Sequence, residues 1–242
     1  MKAIVLAGGA GARLRPYTLV LPKPLLPIGE SPIIEISLQW LKTFGVTDIA
    51  IALGYRGELI KAYLGDGSKH GLKLTYVQEN VRLGTAGPLS QLTDWIGKED
   101  VFLMNGDILT QMNLNALVEA HKHHDSWLTV ASRVHKTQSI FGVLSVIGGT
   151  VTGIAEKPVY TETVSAGMYM VSPRVLDLIP TGTQFDMTDL IMMLLRKCRT
   201  VKAHIFNEPW IAVERQDQFE TANKDGLWRD WVLGLTTKKE EV

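Results

Sequence analysis

Three glycines within four residues, Gly8, Gly9 and Gly11, are followed by Arg13, Arg15 and Lys23. Glycine lets the backbone turn sharply and approach a ligand with no Cβ in the way. The N–H groups that such a turn leaves free form an anion-binding concavity. The guanidinium and ammonium groups just downstream add mobile positive charge, so the stretch reads as a cradle for a polyphosphate. Two better-known phosphate loops fail on spacing. A dinucleotide loop requires G-x-G-x-x-G, whereas Gly9-Ala10-Gly11 runs on to Ala12, Arg13 and Leu14. A Walker loop, G-x-x-x-x-G-K-[ST], occurs nowhere in the chain.

Further along, Gln78 offers an amide that can both donate to and accept from a base edge. Gly84 and Gly87 flank Thr85 and again permit close backbone approach. Val101 to Asn105 is an apolar run leading through Gly106 into Asp107. A carboxylate there, facing a triphosphate, suits Mg²⁺, which keeps most of its waters and takes one or two protein carboxylates. His121, His123 and His124 cluster near a helix end, where imidazoles complement the dipole, and are expected in solvent rather than on a metal. Glu156 and Lys157 read, on residue type alone, as surface charges.

Positioning these groups requires an alternating fold. Ala3 to Ala7 is continuously apolar, as a strand buried on both faces would be. Ser31-Pro32 looks like an N-cap and first-turn proline, with Ile33, Ile36, Trp40, Leu41 and Phe44 at helical spacing and Gly45 as the stop. Strands follow at Asp48–Leu53 and Lys73–Gln78, with a helix from Gly57 to Leu64 between them. A crossover helix follows Asp107, then a strand over Ser126–Val134 and a hairpin from Phe141 to Ala155. Beyond these come a helix begun by Ser172-Pro173, an apolar helix over Asp186–Lys197 with Met192 and Met193 as core filler, and a strand at Lys202–Phe206. Leu227, Trp228, Trp231 and Val232 form an amphipathic stripe before a charged end. The alternation predicts an α/β fold: a Rossmann-like, mostly parallel or mixed central sheet with helices on both faces. Ligands in such folds lie beyond the carboxyl ends of the strands, where the motifs above fall.

Composition narrows the partners. The 242 residues suffice for one α/β domain, and 25 basic against 25 acidic side chains give no net charge, so a nucleic-acid partner is not expected. No apolar run approaches a membrane span. The first strand is too short for a signal peptide. The single cysteine, Cys198, rules out an internal disulfide and fits a reducing cytoplasm, with an inert buried thiol the expected role.

The string L-A-G-G-x-G-x-R-L-x-P-x-T, followed by P-K-P-L, stands complete from Leu6 to Leu25. It resembles the signature of the sugar-phosphate nucleotidyltransferases (nucleotide-sugar pyrophosphorylases). That resemblance implies a three-layer, glycosyltransferase-A-like fold in a single domain, residues 1–134 holding the nucleotide and 135–242 the sugar phosphate. It implies that Leu6, Ala7, Gly8, Gly9 and Gly11 with Arg13 hold a nucleoside triphosphate and that Lys23 meets its reacting phosphates. Gln78-Glu79 and Leu83-Gly84-Thr85-Ala86-Gly87 match the base-recognition loop, so Gln78, Gly84 and Thr85 are expected at the nucleotide. Asn105-Gly106-Asp107 matches the metal segment, with Asn105 at the nucleotide and Asp107 on Mg²⁺. Glu156-Lys157-Pro158 is similar to the sugar motif, Glu156 taking hydroxyls and Lys157 the phosphate. Gly142, Ala166, Gly167 and Trp210 complete that side, with Ser165 where the family more often has asparagine.

The implied reaction joins a nucleoside monophosphate from an NTP to a sugar 1-phosphate and releases pyrophosphate. The Leu-Gly-Thr-Ala-Gly form is most similar to members using GTP with mannose- or heptose-type sugars; dTTP, UTP or CTP with another sugar or a phospho-alcohol are the alternatives. The family pattern Trp-x-Asp-(Ile/Val)-Gly supplies a second metal carboxylate. Here Ala212 replaces that aspartate and Glu214 the glycine. An extended segment would put 212 and 214 on one face, so Glu214 is expected to reach the metal instead. The alternatives are that Glu214 is a surface charge, that Asp107 and phosphate oxygens are the only metal anchors, or that the chain is a weakly active or inactive paralogue that senses nucleotide sugars. Other members continue into a β-helical C-terminal domain, and this sequence is expected to be a short form; a homo-oligomer stays open.

Overall fold

Strand β1 (Lys2–Ala7) shows why the chain folds around its first residues. Ala3, Val5 and Ala7 pack into a cluster on one face of the sheet, with Trp40 and Phe102, while Ile4 packs on the other with Leu89 and Val175. Both faces of the strand are therefore dry, as its unbroken apolar sequence requires. A computed structural model of the chain describes residues 1–123, 125–225, 228, 230, 231 and 234.

After β1 come the two-residue strands β2 (Pro27–Ile28) and β3 (Ser31–Pro32), then helix α1 (Ile33–Thr43), β4 (Asp48–Leu53), α2 (Gly57–Leu64) and β5 (Lys73–Gln78). A short α3 (Thr93–Ile96) precedes β6 (Val101–Asn105) and β7 (Ile108–Thr110). Next are α4 (Leu114–Lys122), β8 (Leu128–Gln138), the hairpin β9 (Val143–Ile147) and β10 (Thr150–Ala155), and β11 (Val159–Val171). The chain closes with α5 (Met187–Arg196), β12 (Val201–Ile205), β13 (Trp210–Ala212) and α6 (Gln216–Lys224).

Seven strands form one sheet in the order β12-β8-β11-β6-β1-β4-β5. β1 is parallel to both β4 and β6, β5 to β4 and β12 to β8, whereas β11 runs antiparallel to β6 and β8. The sheet is thus mixed by a single reversed strand, with α1 and α4 contributing to the core on one face and α5 on the other. The expected α/β architecture is the observed one. Because β1, β4, β5 and β6 all point the same way, their carboxyl ends share one rim, where Gly8, Gly54, Glu79 and Gly106 begin the connecting loops.

Several local expectations differ from the structure. Pro32 is itself the N-cap of α1, and Ser31 pairs with Ile28 in the small β2–β3 bridge, so the helix starts one residue later than the Ser-Pro cue suggests. β8 runs on to Gln138 because β11 pairs with it along nearly its whole length. Cys198 is exposed with a positive φ of 52°, in the turn after α5, and not a buried thiol. Met192 is half exposed on the outer side of α5, where the helix needs no filler. His121 is buried: its Nδ1 lies 2.8 Å from the Thr129 hydroxyl and Nε2 3.7 Å from Asp100, and burial pushes its pKa down despite that carboxylate. His124 lies outside the described residues. Trp228 packs beside Leu14 and Ile33, whereas Leu227, Val232 and the charged end lie outside the described residues. Among the described residues no helix is long and apolar enough to cross a membrane.

Candidate nucleotide site

At the end of β1 the backbone opens two adjoining clefts of about 470 and 290 Å³. Gly8, Gly9, Arg13, Lys23, Glu79 and Arg82 border both, so the glycine turn and its cations form the shared wall. Gly11 takes a left-handed φ of 60°, which starts the short 3-10 turn Ala12–Leu14 and turns Arg13 toward the clefts. The Thr18 hydroxyl fastens this turn by donating to the Gly11 carbonyl at 2.8 Å. Glycine at position 54 is needed for packing: a Cβ there would meet the Gly8 backbone within 2.7 Å. At Gly9 nothing lies within 4 Å of the Cβ position, so the open side of that residue faces the cleft.

Two cations beside the glycine turn, Lys23 and Arg13, each hold an anion. Lys23 Nζ donates to Asp107 Oδ2, both groups largely buried, and Arg13 bonds Glu214 at 2.9 Å with both partly in solvent. The other oxygen of Asp107, Oδ1, is buried with no hydrogen-bond partner. Such an atom is costly unless a cation or donor meets it. A hard carboxylate oxygen of this kind fits a divalent cation such as Mg²⁺. Among the described residues no group of three or more His, Cys, Asp or Glu gathers to hold a metal, and Ala212 supplies no carboxylate.

Glu214 does not reach Asp107 as an extended segment would allow. β13 ends at Ala212, and the Glu214 N–H donates back to the Ala212 carbonyl at 3.0 Å. This tight turn breaks the alternation of a strand, and the carboxylate points to Arg13. Asp107 and Glu214 therefore border different clefts.

The loop Leu83–Gly87 borders the second cleft through Gly84 and Thr85. Its shape is set from across the molecule: Ala86 and Gly87 N–H groups donate to the Phe185 carbonyl at 2.9 Å each, and Phe185 N–H to Leu83 at 2.8 Å. Asp186, the N-cap of α5, accepts from the Thr85 N–H at 2.9 Å and hydroxyl at 3.2 Å, while that hydroxyl accepts from Met187 N–H at 2.8 Å. The Thr85 side chain thus ties the loop to α5, leaving its neighbours' backbone to face the cleft. The sequence reading missed Asp186, and it missed Glu79. Glu79 Oε1 fills the space a Cβ at Gly8 would need, and its other oxygen accepts from Leu83 N–H at 3.0 Å. Burial raises the Glu79 pKa, with the Leu83 N–H and then Arg82 pulling the other way.

Leu6, Ala7, Asn105 and Asp107 also border the second cleft. Gln78 borders neither; its amide turns toward the Gly54 and Glu79 carbonyls at 3.5 and 3.4 Å. Gly167 sits where β11 slips register between Ser165 and Tyr169, and a Cβ there would come within 2.7 Å of the Asn105 amide. Trp210 Nε1 donates to the Ala166 carbonyl at 3.0 Å, so Ala166, Gly167 and Trp210 buttress the Asn105 wall. Gly142, Glu156 and Lys157 stand apart on the β9–β10 arm, where Glu156 Oε2 lies over Gly142. They border neither cleft.

A glycine turn at a strand's carboxyl end, with a paired lysine and carboxylate beside it, is the arrangement of a nucleotide-handling α/β protein. The nucleotidyl transferase family profile matches residues 2–230, and the chain belongs to that family. It is 33% identical over 233 residues to the low-salt glycan biosynthesis nucleotidyltransferase Agl11 of Haloferax volcanii, covering 93% of this chain and 65% of that protein. It is 37% identical over 186 residues to a mannose-1-phosphate guanyltransferase of Yarrowia lipolytica, covering 74% of this chain and 51% of that one. The chain thus spans about half to two thirds of the length of these relatives. A Bacillus anthracis structure assigned as a glucose-1-phosphate thymidylyltransferase superposes with a TM-score of 0.77 at 26% identity, over 95% of this chain and 96% of that one. HddC from Yersinia pseudotuberculosis, solved with GMP-PN, shares the fold at a TM-score of 0.72 and 22% identity, over 92% of this chain and 98% of that one.

Proposed function

We propose that the chain is a sugar-1-phosphate nucleotidylyltransferase that takes GTP and a mannose- or heptose-type sugar phosphate in the cytoplasm. The observation that carries the reading is the glycine turn after β1 with Arg13 and Lys23 held beside it. The guanylyltransferase relatives favour the base and sugar. A phosphate oxygen of the sugar 1-phosphate attacks the α-phosphorus. The new O–P bond forms as the bond to the β-phosphate breaks, and pyrophosphate leaves with that electron pair. The nucleophile is already an anion near neutral pH, because a phosphate monoester loses its second proton near ~6. No general base is required. The barrier is the meeting of two polyanions, which positioning and fixed positive charge lower.

In this reading Gly8, Gly9 and Gly11 present backbone N–H groups to the triphosphate and Arg13 clamps its outer phosphates. Lys23 neutralises charge at the α-phosphate, and Glu156 with Lys157 bring the acceptor from the arm. Arg13 must let go of Glu214 to do so, which makes Glu214 an internal competitor for the triphosphate. Asp107, through its unpartnered Oδ1, would hold Mg²⁺, which when bound shields the phosphate charges. A second reading follows from Ala212: with no second carboxylate at that position, the chain binds nucleotide sugar without turning over. Pyrophosphate release measured across the common NTPs and a sugar-1-phosphate panel tests both. Base-selective release supports the enzyme; tight NDP-sugar binding with no release supports the sensor.

A further inference from the structure

The sheet has a second rim. Val171, at the end of β11, pairs with Val101 at the start of β6 and with Leu128 at the start of β8. The loops that lead into β6 and β8 therefore gather at the end of the sheet opposite the glycine turn. β6 is five residues long, which sets this rim roughly 15 Å from Asn105. A cleft of about 500 Å³ opens there, and none of its lining residues borders the clefts at the end of β1.

The cleft presents fixed hydroxyls. Ser126 lines it at 2% exposure, and its Oγ is buried with no hydrogen-bond partner. A buried hydroxyl in that state is costly, so a ligand that meets it recovers what the fold gives up. Ser172, 3% exposed, accepts from Arg174 Nε at 3.0 Å, which leaves its own O–H to donate. Arg174 is itself pinned: Nη2 donates to the Ser126 and Asp125 carbonyls at 3.0 and 3.3 Å, and Nη1 pairs with the Asp125 carboxylate at 2.9 Å. Its guanidinium also lies over the Trp127 ring, 5.0 Å from the centroid. Lys98 and Lys122 border the same cleft and are exposed. The Lys122 pair with Glu119, at 3.7 Å between exposed groups, is easily given up. Against these cations stand Asp125, already held by Arg174, and Asp100, beside the buried His121. Positive charge is in excess.

We propose that this cleft is a second anion site, taking a phosphate group, free or as a monoester, between the Lys98 and Lys122 ammoniums and the Ser126 and Ser172 hydroxyls. A tetrahedral phosphate offers acceptor oxygens on every side, as donors arranged around a cleft require, whereas a planar carboxylate offers two. Asp100 can accept only from a hydroxyl or amine, so it would favour a hydroxyl-bearing ester over free phosphate. The site lies away from the glycine turn and stands whether or not the proposed function does.

Amide NMR of the ¹⁵N-labelled full chain, titrated with sodium phosphate at constant pH and constant ionic strength, locates binding residue by residue. The Ser126, Trp127, Ser172 and Arg174 amides are expected to shift and saturate together, separately from any shifts at Gly8 and Gly9. Lys98→Ala/Lys122→Ala should weaken that saturation at least ~tenfold, as loss of two charge-assisted contacts would. Ser126→Ala should weaken it about fivefold without lowering the melting temperature, because it deletes a hydroxyl that has no partner in the fold. Ribose 5-phosphate distinguishes the sources: tighter saturation assigns the site to an ester and equal saturation to the phosphate group alone, and either supports it. No shifts at these amides, or the same shifts with sodium chloride alone, overturns the proposal. So does a Ser126→Ala variant that melts lower and binds phosphate as the wild type does.

Discussion

The clefts at the end of β1 and the β9–β10 arm solve opposite problems. Around the clefts the polar groups are largely tied already: Lys23 to Asp107 and Arg13 to Glu214 as ion pairs, and Asp186 to the Leu83–Gly87 loop by hydrogen bonds from Thr85. The arm has no charge over residues 139–155, and its apolar side chains stand in water. Ligand entry at the clefts is thus an exchange of partners among groups held in place beforehand, which keeps the cost of reorganisation small. One region is polar and already paired, the other apolar and bare.

The sharpest break between the two comes at Lys23. Lys23→Ala should lower kcat by about 10³, the scale on which a lost charge-stabilising group acts, while circular dichroism stays unchanged. The next contrast lies within the glycines. Gly54→Ala forces a Cβ into the Gly8 backbone and should cost roughly 2–3 kcal/mol of stability, read from the melting temperature. Gly9→Ala meets nothing in the folded chain, so it should leave the melting temperature unchanged and weaken triphosphate binding about tenfold in calorimetry. On the arm, Lys157→Ala should raise KM for the sugar phosphate about tenfold with little change in triphosphate affinity, consistent with loss of one charge-assisted contact. The smallest effect belongs to Glu214. Glu214→Gln should tighten triphosphate binding about threefold, since an exposed ion pair with Arg13 is all that is released. Weaker binding with a steeper Mg²⁺ requirement would return Glu214 to the role of metal ligand.

Much of this was readable in the order of residues, and the failures have a common cause. The apolar run of β1 and the glycines after it announce themselves locally, since burial on both faces and bare backbone leave marks in composition. Asp107 is likewise marked by the apolar strand before it. Asp186 carries no such mark, because its task is given by Thr85, about a hundred residues earlier. His121 looked like a solvated helix end, and only the fold brings Thr129 and Asp100 against it. The three-residue pairing of β13 with β7 is too short for any periodicity, yet it places Val213 N–H on the Asp107 carbonyl at 2.8 Å. The turn that follows decides where Glu214 points.

The central claim is that the turn after β1 holds the triphosphate, and a crystal grown with a non-hydrolysable GTP analogue and Mg²⁺ tests it most directly. The account predicts phosphate density against the Gly8, Gly9 and Gly11 amides, with Arg13 swung from Glu214 onto the phosphates. Density for the triphosphate in any other part of the molecule, with the Arg13–Glu214 pair intact, would contradict it.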